Sequence, residues 1–159
     1  MLIKKKIATV LGDALIKGYQ GFPAELSSEL RVAATMKHFI GYGAPRNGQD
    51  RTTTHIPDRQ LRQYHVPSFQ NAVDIGVATV MECYNDVNGE PVVASKKYLK
   101  DLLRDEMGYE GMMVTDYGEI NDLVTGHHTA EDTYHPKKNN REGYANWIFK
   151  QQGCRPHRP

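Results

Sequence analysis

Cysteine is scarce in this sequence and long apolar runs are missing, and these shortages exclude several classes of protein. Only Cys83 and Cys154 occur among 159 residues, so no disulfide framework can be argued. Three lysines at positions 4–6 follow the first apolar residues, and no apolar segment comes behind them, which is typical neither of a signal peptide nor of a membrane span. The redox compartment and the cellular location stay open.

Neither an excess of charge nor a motif for a bound cofactor is present. The formal net charge of +1 gives no reason to expect nucleic acid or an anionic membrane as a partner, and it favours a neutral molecule. His127 and His128 are adjacent, but no set of Cys, His and Glu has the spacing of metal ligands. Residues 41–43 (GYG) lack the third glycine and the helix of a phosphate-binding loop, and no serine lies in a nucleophile-elbow pattern. We therefore expect no metal and no cofactor.

What the sequence does contain is an alternation of amphipathic segments and short apolar runs. Apolar residues at helical spacing are typical of surface helices, and apolar runs bounded by glycine are typical of buried parallel strands. The alternation predicts an α/β fold with about three αβ units, parallel strands and right-handed crossovers. A long polar loop is expected at residues 41–57, and such loops are usually functional or disordered. The predicted helices cover residues 3–17, 58–75 (with a kink or break at Pro67) and 95–107, and the predicted strands cover residues 32–39, 77–81 and 111–116.

Polar side chains gather where the three predicted strands end. Lys37 and His38 close the first strand, Tyr84 follows the second, and Asp116 ends the third. Since the carboxyl ends of parallel strands meet on the face where α/β folds carry their chemistry, we expect these side chains to converge. Adjacent strand residues point to opposite faces, so Lys37 and His38 share a site only if the backbone bends there. The spacing alone leaves two other roles open for Asp116, a helix N-cap or a solvated loop acid.

A carboxylate accompanied by lysine, histidine and tyrosine donors suits a neutral substrate with many hydroxyl groups. Lysine and histidine side chains donate hydrogen bonds that sugar hydroxyls accept. An ionised Asp116 would attack or stabilise an oxocarbenium-like centre, as the carboxylate of a retaining glycosidase does. The residue types alone make this one option among several.

Four segments of the sequence carry a more specific signal. In their order and at their separations they resemble glycoside hydrolase family 3, of the β-glucosidase type. The resemblance runs from about Ile7 to Thr133. The segments are residues 37–43 (KHFIGYG), 67–74 (PSFQNAVD), 80–91 (VMECYNDVNGEP) and 111–118 (GMMVTDYG).

The resemblance implies a retaining, exo-acting β-glycosidase that hydrolyses O-glycosyl bonds at the non-reducing end of a β-glucoside or oligosaccharide. The catalytic domain of this family is a (β/α)8 TIM-like barrel, of which the chain would hold about three units. Asp116 matches the nucleophile, which forms a covalent glycosyl-enzyme intermediate. Lys37 and His38 match a pair that holds sugar hydroxyls, and Tyr84 matches the aromatic residue beside the anomeric centre.

The chain also departs from the family pattern. A complete barrel takes roughly 250 residues, and neither the family's earlier strands nor the second domain with its acid/base glutamate is found here. We expect residues 1–133 to form a partial barrel domain and residues 134–159 to be a basic, disordered tail. The remainder of the barrel and the second domain are then the expected partners. Without a general acid, the chain alone is expected to be weakly active or inactive.

Two further interpretations stay open. In the first, the chain is a non-catalytic sugar-binding or assembly fragment that completes a barrel with another chain. In the second, it is a self-contained small α/β domain with an unrelated role. Three parallel strands with bare edges argue against the second of these, because unpaired edges promote association.

Overall fold

The structure, a computed structural model, describes residues 2–131, with side chains described from Lys6 onward. Its strands are β1 (Thr35–Phe39), β2 (Thr79–Glu82), β3 (Asp86–Val87), β4 (Glu90–Pro91) and β5 (Met112–Val114). Its helices are α1 (Leu2–Gln20), α2 (Asp58–Gln60), α3 (Val66–Asp74) and α4 (Glu119–Thr125), with π-helical segments at Leu61–His65 and Lys97–Glu106. The central sheet has the order β1-β2-β5, and β3 and β4 form a separate pair.

The three predicted helix–strand pairs are present, and the central strands pair in parallel as predicted. The strands are shorter than the apolar runs, because the backbone at their ends bonds elsewhere. The Val32 N–H donates to the Tyr19 carbonyl at the end of α1 (3.0 Å), so the ladder begins only at Thr35. The Asp116 N–H donates to the Glu82 side chain (3.0 Å), so β5 ends before it.

The helical stretch over residues 58–74 shows how the chain accommodates Pro67. Proline lacks an N–H and its ring crowds the preceding turn, so a break or kink was predicted there. The structure instead widens the turn before it: Leu61–His65 is π-helical, and the Val66 N–H reaches back to the Leu61 carbonyl. The stretch therefore continues from α2 into α3 without a break.

The central sheet has one covered face and one open face. Met36, Val80 and Met113 lie side by side on neighbouring strands and are buried against the helices. The adjacent row, one residue earlier on each strand, consists of Thr35, Thr79 and Met112, and Met112 is 61% exposed. Because strand residues alternate between faces, the helices cover one side of the sheet only.

Gln20 ties the amino ends of two strands to the end of α1. Its side chain is completely buried. The amide nitrogen donates to the Gly76 carbonyl (2.7 Å), and the amide oxygen accepts the N–H groups of Ala34 (3.3 Å) and Ala78 (3.1 Å). One side chain thus satisfies three backbone groups that precede β1 and β2.

The loop at residues 41–57 is ordered and held against the β3–β4 hairpin. Asn88 and Gly89 both have positive φ (56° and 82°), as a two-residue hairpin turn requires, which confirms the turn expected there. The Asn88 amide accepts the Ile56 N–H (3.0 Å) and donates to the Ile56 carbonyl (2.8 Å). The Thr54 N–H donates to the Asp86 carbonyl (3.0 Å). The end of the loop is thereby fixed beside the carboxyl end of the sheet.

Two further points concern membrane spans and the predicted tail. No helix within residues 2–131 is both long and apolar enough to cross a bilayer. The predicted disordered tail at 134–159 lies outside the described residues.

Candidate active site

Asp116 lies two residues beyond β5, at the carboxyl end of the sheet, with 12% of its side chain exposed. Its Oδ1 accepts the N–H of Tyr117 (2.7 Å), and its own N–H donates to Glu82 Oε1 (3.0 Å). Its Oδ2 accepts no hydrogen bond from the residues that the structure describes. One carboxylate oxygen is therefore fixed by the backbone, and the other, which is itself buried, is available to a further hydrogen-bond donor.

His38 faces that available oxygen. Its Nε2 lies 3.2 Å from Asp116 Oδ2, so the structure brings the ends of β1 and β5 together across β2. Burial lowers the pKa of His38, Lys37 lowers it further, and the Asp116 carboxylate opposes both. The net direction is downward, which favours a neutral imidazole at neutral pH. A neutral ring can donate one hydrogen bond and accept another.

Lys37 is exposed, and among residues 2–131 no hydrogen bond or ion pair joins it to Asp116. The backbone around it is irregular, because the pairing of β1 with β2 shifts register between Met36 and Phe39. The Lys37–His38 and Phe39–Ile40 peptide bonds are cis. The structure thus brings His38 to Asp116 and leaves the Lys37 side chain at the surface.

Tyr84, just after β2, lies on the same rim. Its hydroxyl donates to the Tyr117 carbonyl (3.1 Å), next to Asp116. The Arg51 guanidinium covers its ring at 3.9 Å, and the Tyr42 ring lies 6.2 Å away. Burial and then the Asp116 carboxylate raise the pKa of Tyr84, so its hydroxyl stays protonated. Three of the four predicted side chains, on His38, Tyr84 and Asp116, therefore converge.

The 41–57 loop adds two residues that the sequence analysis did not single out. The Tyr42 ring packs edge-on against His38 at 5.1 Å, and its hydroxyl donates to the Asp50 carboxylate. Burial and that bond raise the Tyr42 pKa to about 12. Arg51 also forms an ion pair with Asp122 of α4 (3.3 Å). Tyr42 lies within a family-like segment, so a signal existed, whereas Arg51 had only its place in a long polar loop.

A groove of about 600 Å³ adjoins the rim between this loop and α4. Tyr84 lies on its wall together with Arg51, and the remaining lining is largely polar. Hydroxyl-rich molecules find both donors and acceptors on such a surface. The polar residues of the lining include Arg46, Thr52, Thr53, Asp86, Asp122 and His127.

Two buried carboxyl groups lie behind Asp116, and the sequence analysis assigned neither a role. Glu82 ends β2 and is 1% exposed, and Glu119 begins α4 and is fully buried. Glu119 Oε1 lies 3.1 Å from His127 Nε2, which is also 3.1 Å from the Tyr84 carbonyl. Burial raises the pKa of both glutamates, for Glu82 far above its ordinary value. Both are shielded from any dissolved substrate.

The described residues contain no group of three or more His, Cys, Asp or Glu side chains that could hold a metal ion. The arrangement at the rim is a partly exposed carboxylate, a neutral imidazole and a phenol beside the groove. A carboxylate can act as a nucleophile toward an electrophilic carbon.

Comparison with known proteins gives one consistent result. Residues 4–135 match the family model for the glycosyl hydrolase family 3 N terminal domain. A lysosomal beta glucosidase of Dictyostelium discoideum is 42% identical over 129 residues, which are 78% of this chain and 16% of that protein. A beta-xylosidase of Formosa agariphila is 40% identical over 123 residues, which are 77% of this chain and 17% of that protein.

A solved structure extends the match to three dimensions. The crystal structure of a beta-glucosidase from Listeria innocua in complex with glucose superposes with a TM-score of 0.77 at 31% identity, covering 90% of this chain and 19% of that chain. The predicted fold class, a partial (β/α)8-like arrangement of about three αβ units, is confirmed by this likeness and the parallel sheet. The chain spans about a sixth of the length of the relatives named above.

Proposed function

Since the chain belongs to glycosyl hydrolase family 3, we propose that it is part of a retaining, exo-acting β-glycosidase in which Asp116 is the nucleophile. The substrate is a β-glucoside or a short oligosaccharide bound by its non-reducing end. The relatives support this class of substrate, because they are named beta glucosidase and beta-xylosidase. One observation carries the assignment of Asp116: its carboxylate is partly exposed at the carboxyl end of the sheet, 3.2 Å from His38 Nε2.

The reaction follows from that position. A carboxylate oxygen of Asp116 attacks the anomeric carbon, the bond from this carbon to the leaving oxygen breaks, and that oxygen takes a proton from a general acid. Water then gives a proton to the same group, which now acts as a base, and attacks the same carbon. The bond to Asp116 breaks, which restores the carboxylate. The N–H of Tyr117 holds Oδ1 at 2.7 Å, so the carboxylate keeps its orientation through both steps.

The neighbouring side chains bind the sugar. Neutral His38 and the exposed ammonium group of Lys37 offer hydrogen bonds to hydroxyl groups on one side of Asp116. Tyr84 lies on the other side, with its hydroxyl next to the backbone of Tyr117. Its ring, already covered on one face by Arg51, supplies an apolar wall beside the anomeric carbon.

The general acid comes from outside this chain. Glu82 and Glu119 are shut away from substrate by burial, and in the resembled family the acid/base belongs to a second domain. A positioned acid contributes on the order of 10²- to 10⁴-fold, so the chain alone hydrolyses ordinary glycosides weakly or not at all. Glycosides with a very good leaving group do not need that proton.

The difference between glycosides that need a general acid and those that do not provides the test. A 2-deoxy-2-fluoro-β-glucoside with a dinitrophenolate leaving group forms the glycosyl-enzyme without help from an acid and releases it slowly. We expect mass spectrometry to find one sugar on the peptide that contains Asp116. Asp116→Asn abolishes the label, while Asp105→Asn, on the far side of the molecule, leaves it unchanged. A label on another residue, or equal labelling of both variants, contradicts the assignment.

A second candidate function is that of an assembly fragment, which binds sugar only after another chain completes the barrel. Two exposed apolar surfaces favour it: Met112 on the open face of the sheet, and Val10 and Leu15 on α1, are all more than half exposed. Calorimetric titration with glucose separates the two functions. Heat of binding that appears only after co-expression with the rest of a family 3 chain supports assembly, and binding by the chain alone supports the first function.

A further inference from the structure

The buried carboxyl group of Glu82 lies directly behind Asp116 and has no part in the steps above. Glu82 is the last residue of β2, paired with Phe39 of β1, and its side chain is 1% exposed. Its Oε1 accepts the backbone N–H of Asp116 at 3.0 Å. Its Oε2 has no hydrogen-bond partner among the described residues. A buried polar atom without a partner costs free energy, so the state of this oxygen needs an explanation.

Glu119 supplies an explanation for the unpartnered Glu82 Oε2. It is fully buried at the start of α4, and its Oε1 is held by His127 at 3.1 Å. Its Oε2 also lacks a partner among residues 2–131. The charge of Glu119 acts on Glu82, and because two ionised carboxylates in a dry site repel each other, a protonated Glu82 relieves that repulsion.

We propose that Glu82 is a positioning residue for Asp116: its carboxyl group carries a proton on Oε2 and accepts the Asp116 N–H through Oε1. The proposal rests on the proposed function, since it concerns the alignment of the nucleophile. Glu82 does not touch substrate, because its burial prevents this. It acts through the backbone of Asp116, whose side chain carries the reacting oxygen.

The surrounding charges agree with this arrangement. Burial raises the pKa of Glu82 well above its ordinary value, the charge of Glu119 raises it further, and Asp116 contributes both a lowering backbone bond and a raising charge. Burial alone would lower the pKa of His127, but its hydrogen bond to Glu119 and that charge raise it overall. His127 thus favours the charged form of Glu119, and the proton remains on Glu82.

A protonated Glu82 has a consequence for catalysis. A second negative charge behind Asp116 would disfavour the ionised form of Asp116, only weakly in water but strongly in a buried site. A neutral carboxyl group orients the Asp116 backbone without that charge. The nucleophile then keeps both its geometry and its own ionisation.

The test compares two substitutions of similar volume. Glu82→Gln keeps an acceptor for the Asp116 N–H and is neutral, so it mimics the protonated acid. Glu82→Met fills the space and removes the acceptor. In ¹⁵N-labelled protein we expect the Asp116 amide to keep its chemical shift and its protection from hydrogen exchange in Glu82→Gln and to lose roughly tenfold or more of that protection in Glu82→Met.

The labelling reaction with the fluoroglucoside gives the functional readout. Its rate stays within about threefold of the wild type in Glu82→Gln and falls about tenfold or more in Glu82→Met, with little change in the concentration needed for half-saturation. A residue that serves only the fold would give equal losses in both variants. Equal losses overturn the proposal.

A third measurement uses the unaltered protein, in case a variant fails to fold. The ¹³C chemical shift of the Glu82 carboxyl reports its proton directly, and we expect the protonated value at neutral pH. An ionised value overturns the proposal. If the nucleophile assignment fails instead, Asp116→Asn still takes the label, while the carboxyl shift and the amide protection continue to report on Glu82.

Discussion

The two faces of the central sheet are built from neighbouring residues of the same strands, yet they live in opposite environments. On the covered face Val80 is 0% exposed, whereas on the open face Met112 is 61% exposed. In a (β/α)8 barrel the helix-covered face is the outside, and the other face turns toward an interior filled by side chains from several strands. The difference teaches that the chain's own helices cover one face of the sheet and that, among residues 2–131, no layer covers the other face.

The sharpest way to break this comparison uses two consecutive methionines on β5. Met113→Lys places a charge in the covered core, and we expect a loss of about 3 kcal/mol or more in the free energy of unfolding. Met112→Lys changes an exposed side chain, so the expected loss is within about 0.5 kcal/mol. Urea denaturation followed by circular dichroism measures both. Similar losses would show that the two faces are not different after all.

The next contrast asks whether apolar packing alone holds the covered side. Gln20→Ala removes the partners of the Gly76 carbonyl and of the N–H groups of Ala34 and Ala78. We expect a loss of about 2–3 kcal/mol, because buried backbone groups are left unpaired. Lys17→Ala, one turn earlier in an exposed ion pair, serves as the control and costs no more than about 0.5 kcal/mol. Thermal unfolding of both variants measures the two losses. A Gln20→Ala variant as stable as the wild type would show that the hydrogen bonds of Gln20 do not stabilise the covered side.

The same contrast exists within α1. Ile16 packs against the core that backs the sheet, while its neighbour Leu15 is 58% exposed. Ile16→Ala is therefore expected to cost about 1–2 kcal/mol, and Leu15→Ala about 0.5 kcal/mol or less. Urea midpoints of the two variants give the answer. An equal cost would mean that α1 packs through a different side than the structure has.

The last contrast is a change in the pH dependence of stability at the carboxyl end of the covered face. The folded state binds the Glu82 proton more tightly than the unfolded state, whose pKa is near 4.5. Glu82 therefore makes its full contribution below that pH, and stability falls as the pH rises through the window up to the raised folded pKa. Glu82→Gln removes this fall.

Melting temperatures of the wild type and of Glu82→Gln, measured from about pH 4 to about pH 8, test it. The two curves are expected to separate only above the ordinary glutamate pKa, with the variant becoming relatively more stable as the pH rises. Glu119 and His127 change stability in the same direction in both proteins, so the difference isolates Glu82. Parallel curves would contradict a raised pKa.

Much of the architecture could be predicted from the sequence, because apolar periodicity and the glycines that end each element are local patterns along the chain. The three αβ units, the turn at Asn88 and the cap at Ser95, whose hydroxyl accepts the Tyr98 N–H at 3.1 Å, all follow local patterns. The amphipathic pattern of α1 was equally clear. Its burial was not, because burial depends on what packs against the helix.

The residues of the candidate site also divide into those whose position the sequence predicted and those whose position it did not. His38, Tyr84 and Asp116 follow strands, so the topology of a parallel sheet was enough to predict that they meet. Lys37 did not join them, because the side-chain direction at an irregular strand end cannot be derived from alternation. Their roles in binding and catalysis stay proposals.

The buried charges could not be predicted from the sequence. Glu82 looks like one more polar residue after an apolar run, and Glu119 looks like an ordinary acidic residue in a first helical turn. Only the approach of α4 to β2 turns them into a buried pair beside His127. Arg51 is similar, because its contact with Tyr84 joins residues from two distant segments.

The alkylation rate of Cys83 reports how often this region opens. Its thiol is buried at the end of β2 and donates to the carbonyl of Ile40, just past β1 (3.3 Å). Burial raises the pKa of this thiol, so it reacts only when the two segments part and water enters. In a Cys154→Ser background, the rate of alkylation would count those partings, and ligands that hold His38 against Asp116 would slow it.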